Sequence, residues 1–203
     1  IIEYTSSKGI QPVIFTDAAT KMRNRSFVQR VYESGASVAP KCDSLFNPGY
    51  QNWVVRDRTG TYFAQRNEAI DLLIEQGFNE VKEDGTTRLG FDMVFSSRNV
   101  HEAEQTLRYC RENNLWLVLS WYLPSGRSGS EGFDRSLIVD ETQKKSLREQ
   151  VSKIDEECGF VHPIWNNFAT MPCVEFMQIY GDGRVSACPG NEIVVGSVRD
   201  HSI

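Results

Sequence analysis

LWLVLSWYL, residues 115–123, holds one small polar residue, Ser120, in an otherwise apolar and aromatic run. A strand with one face in water alternates polar and apolar residues. A run without alternation predicts a strand covered on both faces, the habit of parallel sheets. Just upstream, Val100, Ala103, Leu107 and Cys110 recur at helical spacing,. Before them, RLGFDMVF, residues 88–95, reads as another strand. Strand, helix, strand is the unit from which parallel sheets are built.

The same alternation extends outward in both directions. QPVIFTD, residues 11–17, is a short apolar strand, and Phe27, Val28, Val31 and Tyr32 then mark a helix closed by Gly35,. SVAPKCD, residues 37–43, predicts the second strand, although Pro40 lacks a ladder donor,. Phe63, Ile70, Leu73 and Ile74 predict a helix stopped by Gly77. Downstream, Asp140 with Gln143 resembles a capping box, and Leu147, Val151, Ile154 and Cys158 form a stripe ending at Gly159,. The opening IIEYTSSKG reads as the last turns of a helix ended by Gly9, as in a piece of a longer protein,.

Four such repeats predict an α/β architecture, either a (β/α) barrel or a doubly wound sheet, with both sheet faces covered. Either fold holds its ligand at the carboxyl ends of the strands, which makes Thr16, Asp17, Lys41, Asp43, Ser96, Ser97, Trp121 and Tyr122 the candidates. Long loops are expected at 44–60 and 124–139, the second Gly/Ser-rich,. From Phe160 the rhythm changes to Pro, Asn and Trp, then to a hairpin and the short strand EIVVGSV, so residues 160–203 are expected to form a separate appendage to a 1–159 domain.

With 203 residues, 40% hydrophobic and 24% charged, the composition is that of a folded globular domain,. A net charge of −5 with scattered Lys and Arg argues against a nucleic-acid partner,. No apolar run is long enough to span a bilayer and no signal-peptide pattern opens the chain, so a cytoplasmic location is expected,.

Five cysteines, an odd number, speak against a disulfide framework,. Cys110 and Cys158 sit on helical stripes and read as core thiols, while Cys42 ends a strand beside Lys41 and Asp43,. Cys173 and Cys188 flank the turn at Asp182 and Gly183. A two-residue turn would set Met177 opposite Cys188 and put Cys173 on the same face. A straight strand would hold the two cysteine positions roughly 13 Å apart, beyond the about 7 Å of a disulfide. Metal ligation and core packing both remain open for the pair, and an iron-sulfur cluster could be gripped from such a separation if the chain curls inward.

The three histidines form no HxH or HxxxH pair, and no GxGxxG, P-loop or GxSxG is present,. Lys41 with Asp43 is either a ligand-binding pair or a surface ion pair. Asp92, inside an apolar strand, needs a partner, whether in a polar barrel centre or in a structural pairing. Arg127, in the loop SGRSG, could clamp a carboxylate or phosphate,.

Cys173, nine residues, Gly183, four residues and Cys188, followed by Pro189 and Gly190, resembles the opening of the SPASM or twitch extension of the radical S-adenosylmethionine (SAM) enzymes. FTDAAT, VAPKCDS and YLPSGRS are similar, in the same order, to that family's TNGT segment, SLDS strand end and P-x-GR-G loop. The resemblance implies the later part of a partial (β/α) barrel with a small C-terminal β-hairpin extension. It implies Asp17, Lys41, Asp43 and Arg127 as cofactor contacts, and Cys173 and Cys188 as ligands of an auxiliary [4Fe-4S] cluster. It further implies cleavage of SAM to a 5′-deoxyadenosyl radical acting on a peptide or small-molecule substrate, with a reductant such as flavodoxin or ferredoxin. The family's CxxxCxxC is not among these residues, so the resemblance implies a fragment that cannot cleave SAM alone. The rival readings are a doubly wound domain binding a small ligand or flavin, and a zinc-stabilised binding module.

Overall fold

The computed structural model describes residues 1–123, 134–159, 177–188 and 191–200, which fall into two compact units. The first unit is mixed α/β. Its elements are α1 (Ile2–Ser7), β1 (Val13–Thr16), α2 (Arg25–Glu33), β2 (Ser37–Pro40), α3 (Pro48–Val54), α4 (Tyr62–Glu75), β3 (Gly90–Phe95), α5 (Ala103–Glu112), β4 (Trp116–Trp121) and α6 (Glu141–Glu157). Helix boundaries follow local chemistry. The Asp140 carboxylate accepts from Gln143 N at 2.8 Å while Gln143 Oε1 accepts from Asp140 N at 3.3 Å, completing the capping box before α6,. Gly77, just beyond α4, takes φ of +89°, a conformation an L side chain strains to adopt,.

Residues 44–60, expected as a loop, contain α3. Asn47 Oδ1 accepts from Tyr50 N at 2.9 Å and Pro48 occupies the first turn, a start signal that needs no apolar stripe,.

The four strands are parallel neighbours in chain order. β1 pairs β2 from Val13↔Ser37 to Thr16↔Pro40, and β3 pairs β4 from Gly90↔Trp116 to Phe95↔Trp121. Between β2 and β3 the register is held by bridges at Val38↔Leu89 and Lys41↔Asp92. Val38 N donates to Arg88 O and Cys42 N to Asp92 O, both at 2.8 Å. Residue 40 stands where the intervening donor belongs, and proline has none. The sheet therefore has a seam between β2 and β3. β1 and β4 have no further parallel neighbour among the described residues, so no closed barrel forms there.

One face of this sheet carries the core. Val38, Cys42, Leu89, Phe91, Met93, Phe95, Leu117 and Leu119 pack with Val28 and Val31 of α2, Ile70 and Leu73 of α4, Leu107 and Cys110 of α5, and Val151 and Ile154 of α6. The alternation of a strand sends Val13, Phe15, Lys41, Asp43 and Asp92 to the other face. There Val13 and Phe15 are 49% and 55% exposed. Further along the same face Ala39 and Val118 are buried, so the inner strands are covered on both sides, while among the described residues the apolar stripes of α2, α4, α5 and α6 all enter one core. The unbroken run of β4 sends Leu117 and Leu119 into that core and the buried Val118 to the opposite face.

The second unit is an antiparallel sheet of β5 (Gln178–Ile179), β6 (Arg184–Cys188) and β7 (Asn191–Ser197). Its hairpin pairs Gln178 with Ser186 and Ile179 with Val185, one residue away from the register that sets Met177 opposite Cys188. Tyr180 N donates to Arg184 O at 2.9 Å, closing a loop of Gly181, Asp182 and Gly183 in which Gly183 takes φ of +90°. This three-residue loop with a left-handed last position replaces the expected two-residue turn. It removes the two-residue-turn argument for a shared cysteine face. No helix of the described residues is long and apolar enough to cross a membrane.

Candidate functional site

The chain leaves β2 through Lys41, Cys42 and Asp43, and three charged groups meet where β2 and β3 run together. Lys41 Nζ lies 3.0 Å from Asp43 Oδ1 and 3.5 Å from Asp92 Oδ2. Asp43 Oδ1 also accepts from Val94 N at 2.9 Å, so a side chain takes a ladder donor of β3 just where β2 peels away. The Asp43 side chain is 1% exposed, and its Oδ2 has no hydrogen-bond partner among the described residues. Burial pushes the Asp43 carboxyl up, against the opposing pull of Lys41 and the Val94 N–H,. The Lys41 and Asp92 side chains, 28% and 25% exposed, keep a path to solvent.

A neutral polar frame fixes this corner. Asn99 Nδ2 donates to Asp43 O at 2.6 Å and to Val94 O at 3.0 Å, while Asn99 Oδ1 accepts from Ser96 N at 2.7 Å. Ser96 Oγ pairs with Tyr50 Oη at 2.8 Å, linking α3 to the end of β3. Behind β2, the fully buried Arg66 donates through Nη1 to Cys42 Sγ at 3.2 Å, Ser44 O at 2.9 Å and Gln51 Oε1 at 2.9 Å. Its Nη2 reaches Asn67 Oδ1 at 2.7 Å, and its guanidinium lies 4.9 Å from the Phe63 ring centroid. Burial pushes the Cys42 thiol up to about 12 in spite of Arg66. Tyr62 donates its hydroxyl to Asp17 O at 3.0 Å, and burial pushes that phenol up to about 12.

Of the strand-end candidates, Lys41 and Asp43 are brought together and joined by Asp92, which is paired and partly exposed. Asp17 is exposed, its carboxylate accepting from Ala19 N at 3.2 Å, and Thr16 Oγ1 accepts from Ala18 N at 3.1 Å. Ser96 is buried in the Asn99 frame, and Ser97 Oγ donates to Ser136 O at 2.6 Å. Trp121 packs against the core beside Phe95, and Tyr122 N donates to Phe95 O at 2.8 Å. Arg127 and Cys173 lie outside the described residues, as does the side chain of Cys188, whose backbone ends β6 opposite Asn191. Cys42 and Cys110 are core thiols. Cys158, read as a core thiol, is exposed because it caps α6 instead of completing its stripe.

Sequence reasoning missed Asn99, Arg66 and Gln51. Each is a polar residue with a partner from another element, and the one available signal was Arg66 falling at stripe spacing between Phe63 and Ile70 of α4. Glu102, 7% exposed, was missed likewise; it accepts from Ser44 Oγ at 2.5 Å. No group of three His, Cys, Asp or Glu side chains arranged for a metal occurs among the described residues. No family model, curated protein or solved structure matches the chain.

Proposed function

We propose that this chain is part of a radical SAM enzyme with a SPASM or twitch extension. One observation carries the reading: the strands run parallel in chain order, their helices pack on one face, and Lys41, Asp43 and Asp92 stand on the other. Right-handed crossovers between sequential neighbours put every helix on the same side, as in a (β/α) barrel. A doubly wound sheet reverses its order part-way and carries helices on both sides, so the arrangement favours a partial barrel over the flavin-binding rival.

Asp17, Lys41, Asp43 and the loop residue Arg127 would hold the cofactor, and Cys173 and Cys188 an auxiliary cluster. The buried Asp43 oxygen that has no partner among the described residues, beside the Lys41 ammonium, fits a ligand that is itself charged and rich in donors,. A separate iron-sulfur cluster, on the CxxxCxxC that is not among these residues, would supply the electron that cleaves SAM, and the resulting radical would act on a peptide or small molecule. Flavodoxin or ferredoxin would serve as reductant.

Anaerobic expression of the parent protein tests this. Brown protein containing iron and sulfide, releasing 5′-deoxyadenosine from SAM under reductant, is the expected result. Cys173→Ala with Cys188→Ala should lower the iron content while leaving the far-ultraviolet circular dichroism unchanged. Colourless protein without iron overturns the reading, and stoichiometric zinc in its place supports the binding-module rival.

A further inference from the structure

Charged residues within strands are depleted because a pleated surface gives them little water. Here Asp92 sits in the middle of β3, Lys41 just beyond β2, and Asp43 is buried next to both. Such an ion-pair group adds little to stability, since removing the charges from water offsets most of their attraction. Its position at the end of β2, on the sheet face opposite the helix-covered core, suggests a use in binding,.

The chemistry of the three groups narrows that use. With both carboxyls ionised they sum to one negative charge, and Asp43 Oδ2 lacks a donor among the described residues. The Lys41 and Asp92 contact is loose at 3.5 Å, and both side chains are reachable from solvent. One partly exposed cation beside one partly exposed anion is complementary to a ligand carrying the opposite pair at close spacing. We propose that Lys41 and Asp92 bind an α-amino-acid zwitterion, its carboxylate on Lys41 Nζ and its ammonium on Asp92, with Asp43 fixing Lys41 from beneath. The inference rests on the reading above only in placing the ligand where the chain leaves β2. SAM carries such a head, and so does an amino-acid substrate.

Calorimetric titration of the full protein with five ligands separates the sources. They are S-adenosylhomocysteine, 5′-methylthioadenosine (the same nucleoside and sulfur without the amino-acid head), L-alanine, acetate and methylammonium. If the cofactor supplies the head, S-adenosylhomocysteine binds at least ~10-fold more tightly than 5′-methylthioadenosine, the scale of one charge-assisted contact, and Lys41→Gln or Asp92→Asn removes the difference. If the substrate supplies it, L-alanine binds more tightly than acetate or methylammonium and both variants abolish its heat. L-Alanine binding without either nucleoside would sink the SAM reading at this site and leave the zwitterion site standing. Equal binding of the two nucleosides without L-alanine, acetate binding as tightly as L-alanine, silence from every ligand, or a preference unchanged in both variants overturns the proposal. Lys145→Gln, on the exposed side of α6, controls for surface charge, and unaltered melting of each variant shows that it is folded.

Discussion

A methyl group separates alanine from glycine, and at position 90 there is no room for it. A Cβ built there would overlap the indole of Trp116, its partner across the β3–β4 ladder. Gly90→Ala should therefore destabilise the chain by about 1–3 kcal/mol, the usual cost of overpacking, as a lowered urea midpoint. Adding Trp116→Ala should recover part of that loss, since it removes the ring the methyl strikes. A midpoint unmoved by Gly90→Ala would mean that the indole has another place to go. Gly90 was legible only as a strand residue, because the close approach depends on a tryptophan that register brings alongside. Lys41 and Asp43 were legible as a pair from their strand-end position. Asp92 showed its need for a partner but not which one, since the pairing crosses the seam.

At the scale of elements, the seam itself can be tested. Restoring an N–H with Pro40→Ala gives position 40 a donor facing the third strand, between Val38 and Cys42. Its amide should exchange with solvent about as slowly as those of Val38 and Cys42 in hydrogen-exchange measurements. Fast exchange at position 40 would show that the strands diverge there for some reason other than proline. α2, α4 and α6 were readable because each carries two independent signals, an apolar stripe and a stop glycine, and α5 was readable from its stripe alone. α3 carries neither: its only buried residue is Gln51, and it announces itself through Asn47 and Pro48 alone. The hairpin was ambiguous because Gly-Asp-Gly serves a two-residue or a three-residue loop. A single residue of slip then moves every side chain of a strand to the other face.

For the molecule as a whole, thiol chemistry separates surface from core. Cys42 and Cys110 have no exposure, and burial pushes both thiols up, whereas Cys158 is exposed. In a Cys173→Ser, Cys188→Ser background, one thiol should react with iodoacetamide at once, and the other two only at the rate of global opening. Alkylation of Cys42 in native protein as fast as Cys158 would contradict the packing of β2. Alternation of strand and helix was legible along the first unit, because period and punctuation are local. One-sided helical cover was not, because it depends on strand order. That order also bears on how the chain assembles. Lys41 and Asp92, across the seam, lie 51 positions apart, about twice the separation of partners within either flanking strand pair. Each doubling of a closed loop adds only about 0.6 kcal/mol of entropy, yet the longer closure here meets a ladder with a missing rung. The two halves should condense first, each around its own helix, and their joining should be the last step of folding and the first to be undone by heat.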